Sequence, residues 1–288
     1  MYVYPKLSRA GLGNCMLPWA RAVVFQRRNA ARMLAPQWVQ PRLGAWIRNE
    51  RAKRFYFGEF TNTDYLKGAR KHLLLRVGRN FGEDEFTAGQ VSYGRRPAII
   101  VFEGLRNYFD DIQGSRALIN SELQRIVNPA ILQRVASFRQ PFVAVNMRRG
   151  DLTNQGWSDE RLMGEPRYTP TAWFVSAMQA ISHHPNWQRL PIVLISDGRD
   201  TEIAPLLGDA NCKLVTTGSA IGDILLLANA KLLVASGHST FSMWASYLGE
   251  MPTIYYPGKM QQRVFAQSVQ TYEGEWRPGT VLPQPCYG

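Results

Sequence analysis

A short apolar run, Phe142-Val143-Ala144-Val145-Asn146-Met147, ends abruptly at Arg148-Arg149-Gly150-Asp151. A guanidinium carries several donors in a fixed fork that matches phosphate, so two of them at the end of a strand are suited to gripping an anion. The plainer alternative is a solvated turn in which Asp151 is a local ion-pair partner. Two further apolar runs end in polar turns. Ile192–Ile195 leads into Ser196-Asp197-Gly198, and Leu232–Ala235 leads into Ser236-Gly237-His238-Ser239-Thr240 before a helix. A hydroxyl-rich turn at a helix N-terminus offers backbone N–H groups to a phosphate, and with two arginines it suggests a diphosphate. No Asp-x-Asp occurs anywhere in the chain, so a common way of holding a metal against a nucleotide diphosphate is missing and arginine must neutralise the leaving group. His183-His184, adjacent and followed by Pro185, point in different directions and read as surface residues rather than metal ligands.

The elements that must bring these residues together alternate in kind. Beyond Arg139-Gln140-Pro141 the pattern predicts strands at Val143–Asn146, 191–195, Cys212–Val215 and Leu232–Ala235. Helices are predicted near Thr171–Ser182, Asp223–Asn229 and Phe241–Leu248. Such alternation means a parallel sheet covered by helices, and side chains at adjacent strand ends then share one crevice. Before it, a strand at Tyr2–Lys6 runs into Gly11-Leu12-Gly13-Asn14 and a helix from about Met16, with Pro18 in its first turn. This Gly-x-Gly lacks the third glycine of a dinucleotide fingerprint, and a simple tight turn is its alternative reading. Pro97–Phe102 reads as a strand, Ser121–Phe138 as a connecting helix, and Glu83-Asp84-Glu85 as an acidic run in a loop. The boundary falls at 138/139, giving domains 1–138 and 139–288.

The chain has 288 residues, 45% of them apolar, enough for a sizeable core. Cys15, Cys212 and Cys286 are widely spaced and odd in number, which argues against a disulfide framework or structural zinc and points to a reducing compartment. No signal segment and no apolar run of spanning length is evident, so a cytoplasmic location is expected. The net charge is +12, and all the excess sits early: residues 1–140 hold 23 Lys and Arg against 10 Asp and Glu. Between Trp38 and Arg79 the basic residues interleave with aromatics, a mixture suited to single-stranded nucleic acid, a membrane interface or a sugar cleft, and also to a solvated face over core aromatics.

Taken in order, these segments resemble the alpha-1,2- and alpha-1,6-fucosyltransferase superfamily, closest to its bacterial alpha-1,2 branch. Arg148-Arg149 with Asp151 resembles its His-x-Arg-Arg-x-Asp. Ala10-Gly11-Leu12-Gly13-Asn14 resembles its Gly-Gly-Leu-Gly-Asn, and Tyr108-Phe109 with Asp111-Ile112 its aromatic segment. Asp223–Lys231 and Ser239-Thr240-Phe241-Ser242-Met243-Trp244-Ala245 resemble two further motifs. The departures are Asn146 at the motif histidine, His238 at an Asn or Ser, and Met243 at a tryptophan.

The resemblance implies an α/β fold of GT-B type, with two Rossmann-like domains facing a central cleft. It also implies an inverting, metal-independent transfer of L-fucose from GDP-β-L-fucose, with no cofactor, to a galactoside hydroxyl. By it, Arg148 and Arg149 hold the β-phosphate, Asp223 reads guanine, and His238, Ser239, Thr240 and Phe241 hold phosphate and sugar. Asn146 and Asp197 flank them, and Gly11, Gly13 and Asn14 approach the donor from the first domain, which carries the acceptor side. Asp151 orients the arginines or acts in catalysis, and Asp159, Glu165 and Glu103 are the other candidate bases. Colitose or another GDP-deoxyhexose is an alternative donor. A binding protein that has lost catalysis and a basic nucleic-acid-binding module are the rival classes, and the fucosyltransferase reading expects no nucleic acid. The acceptor is expected to be a lipid-linked glycan, with peripheral contact to an anionic membrane through Arg48, Arg51, Lys53 and Arg54.

Overall fold

A computed structural model of the chain describes residues 1–39, 55–62, 64–91, 94–149 and 168–284. It divides into two compact units that part between Leu132 and Gln133, each built on its own all-parallel sheet. The first sheet holds β1 (Tyr2–Pro5), β2 (Arg32–Met33), β3 (Arg79–Gly82) and β4 (Ala98–Phe102), in the order β2-β1-β4-β3. Helices α1 (Leu12–Asn29), α2 (Gly68–Val77), α3 (Glu83–Thr87) and α4 (Arg116–Ile126) accompany it, and α5 (Pro129–Ala136) spans the division.

Three local expectations are corrected here. Helix α1 begins at Leu12 rather than near Met16, so Pro18 lies inside it and has no N–H to give to the carbonyl of Asn14, four residues back. The expected helix 121–138 is two helices, because Asn128 precedes Pro129 and the proline ring disfavours helical geometry there; Asn128 Oδ1 then accepts from Ala130 N at 3.0 Å. The acidic run is not a loop but the start of α3, where Glu83 takes paired bonds of 2.9 Å from Arg21 Nε and Nη2. Carboxylates in a first helical turn also suit the helix dipole.

The basic stretch 40–54, including Arg48, Arg51, Lys53 and Arg54, lies outside the described residues. Flanking it, Trp38 stacks on Phe60 at 3.9 Å, and Trp38, Tyr56 and Tyr65 are buried as core residues, while Phe55 and Phe60 are half-buried and Phe57 is 83% exposed. Among the described residues no helix is long and apolar enough to cross a membrane.

The second sheet is formed by β5 (Val143–Met147), β6 (Ile192–Ser196), β7 (Cys212–Leu214), β8 (Leu232–Ala235), β9 (Thr253–Tyr255) and β10 (Glu273–Glu275). Helices α6 (Thr171–His183), α7 (Asp200–Leu207), α8 (Ala220–Ala228) and α9 (Thr240–Gly249) connect them. The order is β10-β9-β8-β5-β6-β7, so the winding reverses between β5 and β8. Read from β5 this is the 3-2-1-4-5-6 order of a doubly wound sheet, in which ligands bind beyond the carboxyl ends of the strands at the reversal.

Every residue of β5 is buried, as a strand covered on both faces requires. Its side chains alternate between two cores. Val143, Val145 and Met147 pack with Trp173 and Phe174 of α6, while Ala144 packs with Leu226, Leu227 and Ala245 of α8 and α9.

Candidate functional site

The alternation along β5 decides where its polar residues go. Asn146 shares the face of Ala144 and is 4% exposed; its Nδ2 donates to Ile195 O at 3.1 Å and its Oδ1 accepts from Ser242 Oγ at 2.7 Å. Its carbonyl is taken up as well, by Ser236 N at 3.0 Å and Ser236 Oγ at 2.9 Å. Asn146 is thus an internal tie between β5, β6 and α9.

The two arginines beyond the strand part company. Arg149 is 3% exposed and lies on the α6 side, where Nη1 donates to Thr169 O and Nη2 to Thr171 Oγ1, each at 2.7 Å. Its guanidinium also lies 5.2 Å from the centre of the Tyr168 ring. Burial lowers its pKa, opposed by Glu202, Tyr168 and Asp197. Arg148 keeps more of its side chain at the surface, 22% against 4%, with Nε 3.6 Å from Asp197 Oδ2.

Neighbouring strand ends clamp the backbone between them. Arg148 N donates to Ser236 Oγ at 2.8 Å, Arg149 N to Asp197 Oδ1 at 2.6 Å, and Ser196 Oγ to Met147 O at 2.7 Å. Asp197 therefore faces both arginines. Asp151, Asp159 and Glu165 lie outside the described residues.

The turn 236–239 closes the crevice from β8. Ser239 caps α9, its Oγ accepting from Ser242 N at 3.3 Å. His238 is exposed and left-handed, with φ 51°, a region that Asn, Asp, His and Gly enter more readily than other residues. Its N–H donates to Lys259 O at 3.0 Å. Thr240 and Phe241, half-buried, open the helix. At Gly237 a Cβ would stand 2.1 Å from Lys259 Cβ, so this position needs glycine for close approach.

Sequence reasoning missed Thr169, which is 1% exposed and joins the two sides of the crevice. Its carbonyl accepts from Arg149, and its Oγ1 accepts from Gly237 N at 3.1 Å. The available signal was Thr169-Pro170-Thr171 at a helix start, too general to single out. Ser236 and Lys259 were likewise not chosen as site residues.

Asp223 sits in the first turn of α8, whose cap is Ser219, accepting from Gly222 N at 3.1 Å. The Asp223 carboxylate holds the preceding turn: Oδ1 accepts from Thr217 N at 2.6 Å and Thr217 Oγ1 at 2.8 Å, and Oδ2 from Thr216 Oγ1 at 3.2 Å. Burial raises its pKa, countered by these bonds. Gly11, Gly13 and Asn14 belong to the first unit, where Gly11 caps α1 without a side-chain bond and a Cβ added to it would meet nothing within 4 Å.

Two α/β units of this kind define the class as a GT-B-type fold. Solved structures of that class are similar over nearly the whole chain. NodZ alpha-1,6-fucosyltransferase co-crystallized with GDP is 16% identical, with a TM-score of 0.59 over 88% of this chain and 94% of that one. Fucosyltransferase NodZ from Bradyrhizobium matches at a TM-score of 0.57, with 14% identity over 89% and 96% of the two chains. POFUT1 in complex with GDP matches at 0.51, with 13% identity over 97% and 98%. At these identities the likeness is one of fold. Comparisons with protein-family models and with curated proteins found no match.

Proposed function

We propose that the protein is an inverting, metal-independent glycosyltransferase that moves L-fucose from GDP-β-L-fucose to a glycan hydroxyl, forming an α-1,2 link to a galactoside. The observation that carries this reading is the strand-end site at the reversal of the second sheet, where Arg148, Asp197 and the capped turn 236–239 converge. In this reading the second unit holds the donor. Arg148 meets the β-phosphate and stabilises the charge that grows on it as the sugar–oxygen bond breaks. The amides at the N-terminus of α9 add fixed donors. The fold neighbours crystallised with GDP support the nucleotide. NodZ is an alpha-1,6 enzyme, so the α-1,2 linkage rests on the sequence motifs alone.

The test is transfer from GDP-fucose, with GDP-colitose in parallel, to a panel of galactosides, the products being identified by mass spectrometry and NMR. Turnover with neither donor would refute the reading. Because arginine takes the place of a metal, activity is expected to be unchanged in excess EDTA. Loss on chelation with recovery on adding magnesium or manganese would reverse that assignment.

Asp223 is proposed to read the purine through Oδ2, which accepts only the Thr216 hydroxyl among its described partners. Asp223→Ala is expected to weaken GDP binding about tenfold, the size of one hydrogen bond to a charged group, and to leave the weak binding of ADP unchanged. Equal losses for both nucleotides in calorimetry would instead make Asp223 only the holder of the 216–217 turn.

A further inference from the structure

We propose that Glu275, on the edge strand of the second sheet, is a positioning residue that sets the geometry of the turn 236–239 through the chain that follows β9. Resting on the transferase reading, its role is to keep that turn in the shape that receives the donor's diphosphate.

The relay crosses three neighbouring strand ends, those of β10, β9 and β8. Glu275 ends β10 and pairs in register with Tyr255, the last residue of β9. The chain then reads Tyr256-Pro257-Gly258-Lys259, and Lys259 N donates back to Tyr256 O at 3.0 Å. With proline second and Gly258 third at φ 74°, this fits a type II turn, whose single closing bond leaves the N–H of the third residue to find another partner. Glu275 supplies it. Its Oε1 accepts from Gly258 N at 2.8 Å and, at the longer distance of 3.4 Å, from Met260 N, so one oxygen holds the chain on both sides of Lys259.

Lys259 carries the constraint inward. It is 8% exposed, and its carbonyl accepts from His238 N at 3.0 Å. Its Cα and Cβ press on Gly237 so closely that no side chain lies between to absorb a shift, and a displacement of 258–260 is passed on to the turn. Next to α6, Thr169 Oγ1 accepts from Gly237 N at 3.1 Å. The N–H groups of Gly237 and His238 are thus both spent on holding the turn in place. Ser236, at its start, accepts from Arg148 N at 2.8 Å, which ties the relay to the strand end of β5.

Glu275 is exposed, and the plainer reading of a charge on an edge strand is that it discourages pairing with another chain. That reading needs the charge but not the two backbone donors. The two are separable, because glutamine keeps the acceptor and loses the charge, whereas alanine loses both.

The test uses the full chain, with residue-resolved hydrogen exchange, calorimetry with GDP, and transfer kinetics with GDP-fucose. In Glu275→Ala the amides of Gly258 and His238 are expected to exchange about tenfold faster than in the wild type. The Kd for GDP and the KM for GDP-fucose should each rise about fivefold, the scale of one lost hydrogen bond. The KM for the acceptor should not move, a split that a general loss of stability would not give. Glu275→Gln should restore the wild-type values. Gly258→Ala, which strains the positive φ while leaving Glu275 in place, should weaken GDP in the same way. Unchanged exchange at His238 or unchanged GDP affinity in Glu275→Ala, or a glutamine variant as impaired as the alanine one, would overturn the proposal. If exchange at His238 quickens in the alanine variant and recovers in the glutamine one, but the wild type neither binds GDP nor turns over GDP-fucose, the relay stands and the transferase reading falls alone.

Discussion

Arg149→Ala is expected to lower the stability of the second unit by about 3–6 kcal/mol, the sum of two hydrogen bonds from a charged group at roughly 1.5–3 kcal/mol each. Arg149 is 3% exposed and donates to Thr169 O and Thr171 Oγ1, and without it the buried Thr169 carbonyl and the half-buried Thr171 hydroxyl would each lose this donor. Lysine is not expected to rescue the variant, because a point charge cannot span two acceptors as a planar fork does. Urea titration followed by far-UV circular dichroism reads the effect as an earlier midpoint. A variant that melts like the wild type yet no longer binds GDP would make Arg149 a phosphate ligand and not a strut.

Arg148→Ala should behave in the opposite way. Losing one charge-assisted bond to a diphosphate costs about 1.5–3 kcal/mol, which raises the Kd for GDP roughly 10- to 100-fold. Transfer should fall by about 100-fold or more, since the same charge is worth most when the leaving phosphate gains its negative charge. The melting midpoint should stay put, because this side chain lies partly at the surface beside Asp197. Unaltered GDP affinity in calorimetry would remove Arg148 from the donor site.

The contrast between the two shows how far the sequence could be read. The strand, its abrupt polar end and the two companion strand ends were legible because apolar runs bounded by turn residues are local signals. The parallel order was legible from alternation. What was not legible is parity. Successive residues on a strand face opposite ways, so adjacent arginines reach different surroundings, and only the packing of Val145 against α6 and of Ala144 against α8 and α9 tells which is which. The internal bonds of the Asn146 side chain were not legible for the same reason, since its partners Ile195 and Ser242 are 49 and 96 residues away. Thr169 joins Arg149 to Gly237, a contact that no local pattern announces. The short strands β2, β3, β9 and β10 also escaped, being two to four residues long and defined by their neighbours rather than by composition.

The pairing of β1 has a consequence for how the protein is made. Tyr2 pairs with Arg32 in the short β2 on one side, but its main partner on the other is Ile99, 97 residues later. Likewise Val143 pairs with Leu232, 89 residues later. At a synthesis rate of about 5–20 residues per second, the founding strand of each unit leaves the ribosome roughly 5–20 seconds before that partner exists. Each nascent unit therefore carries an apolar segment with an open edge for that interval. Pairings of such long range also make the subsequent search slow, and unpaired edges exposed during that search are where a folding chain is open to aggregation.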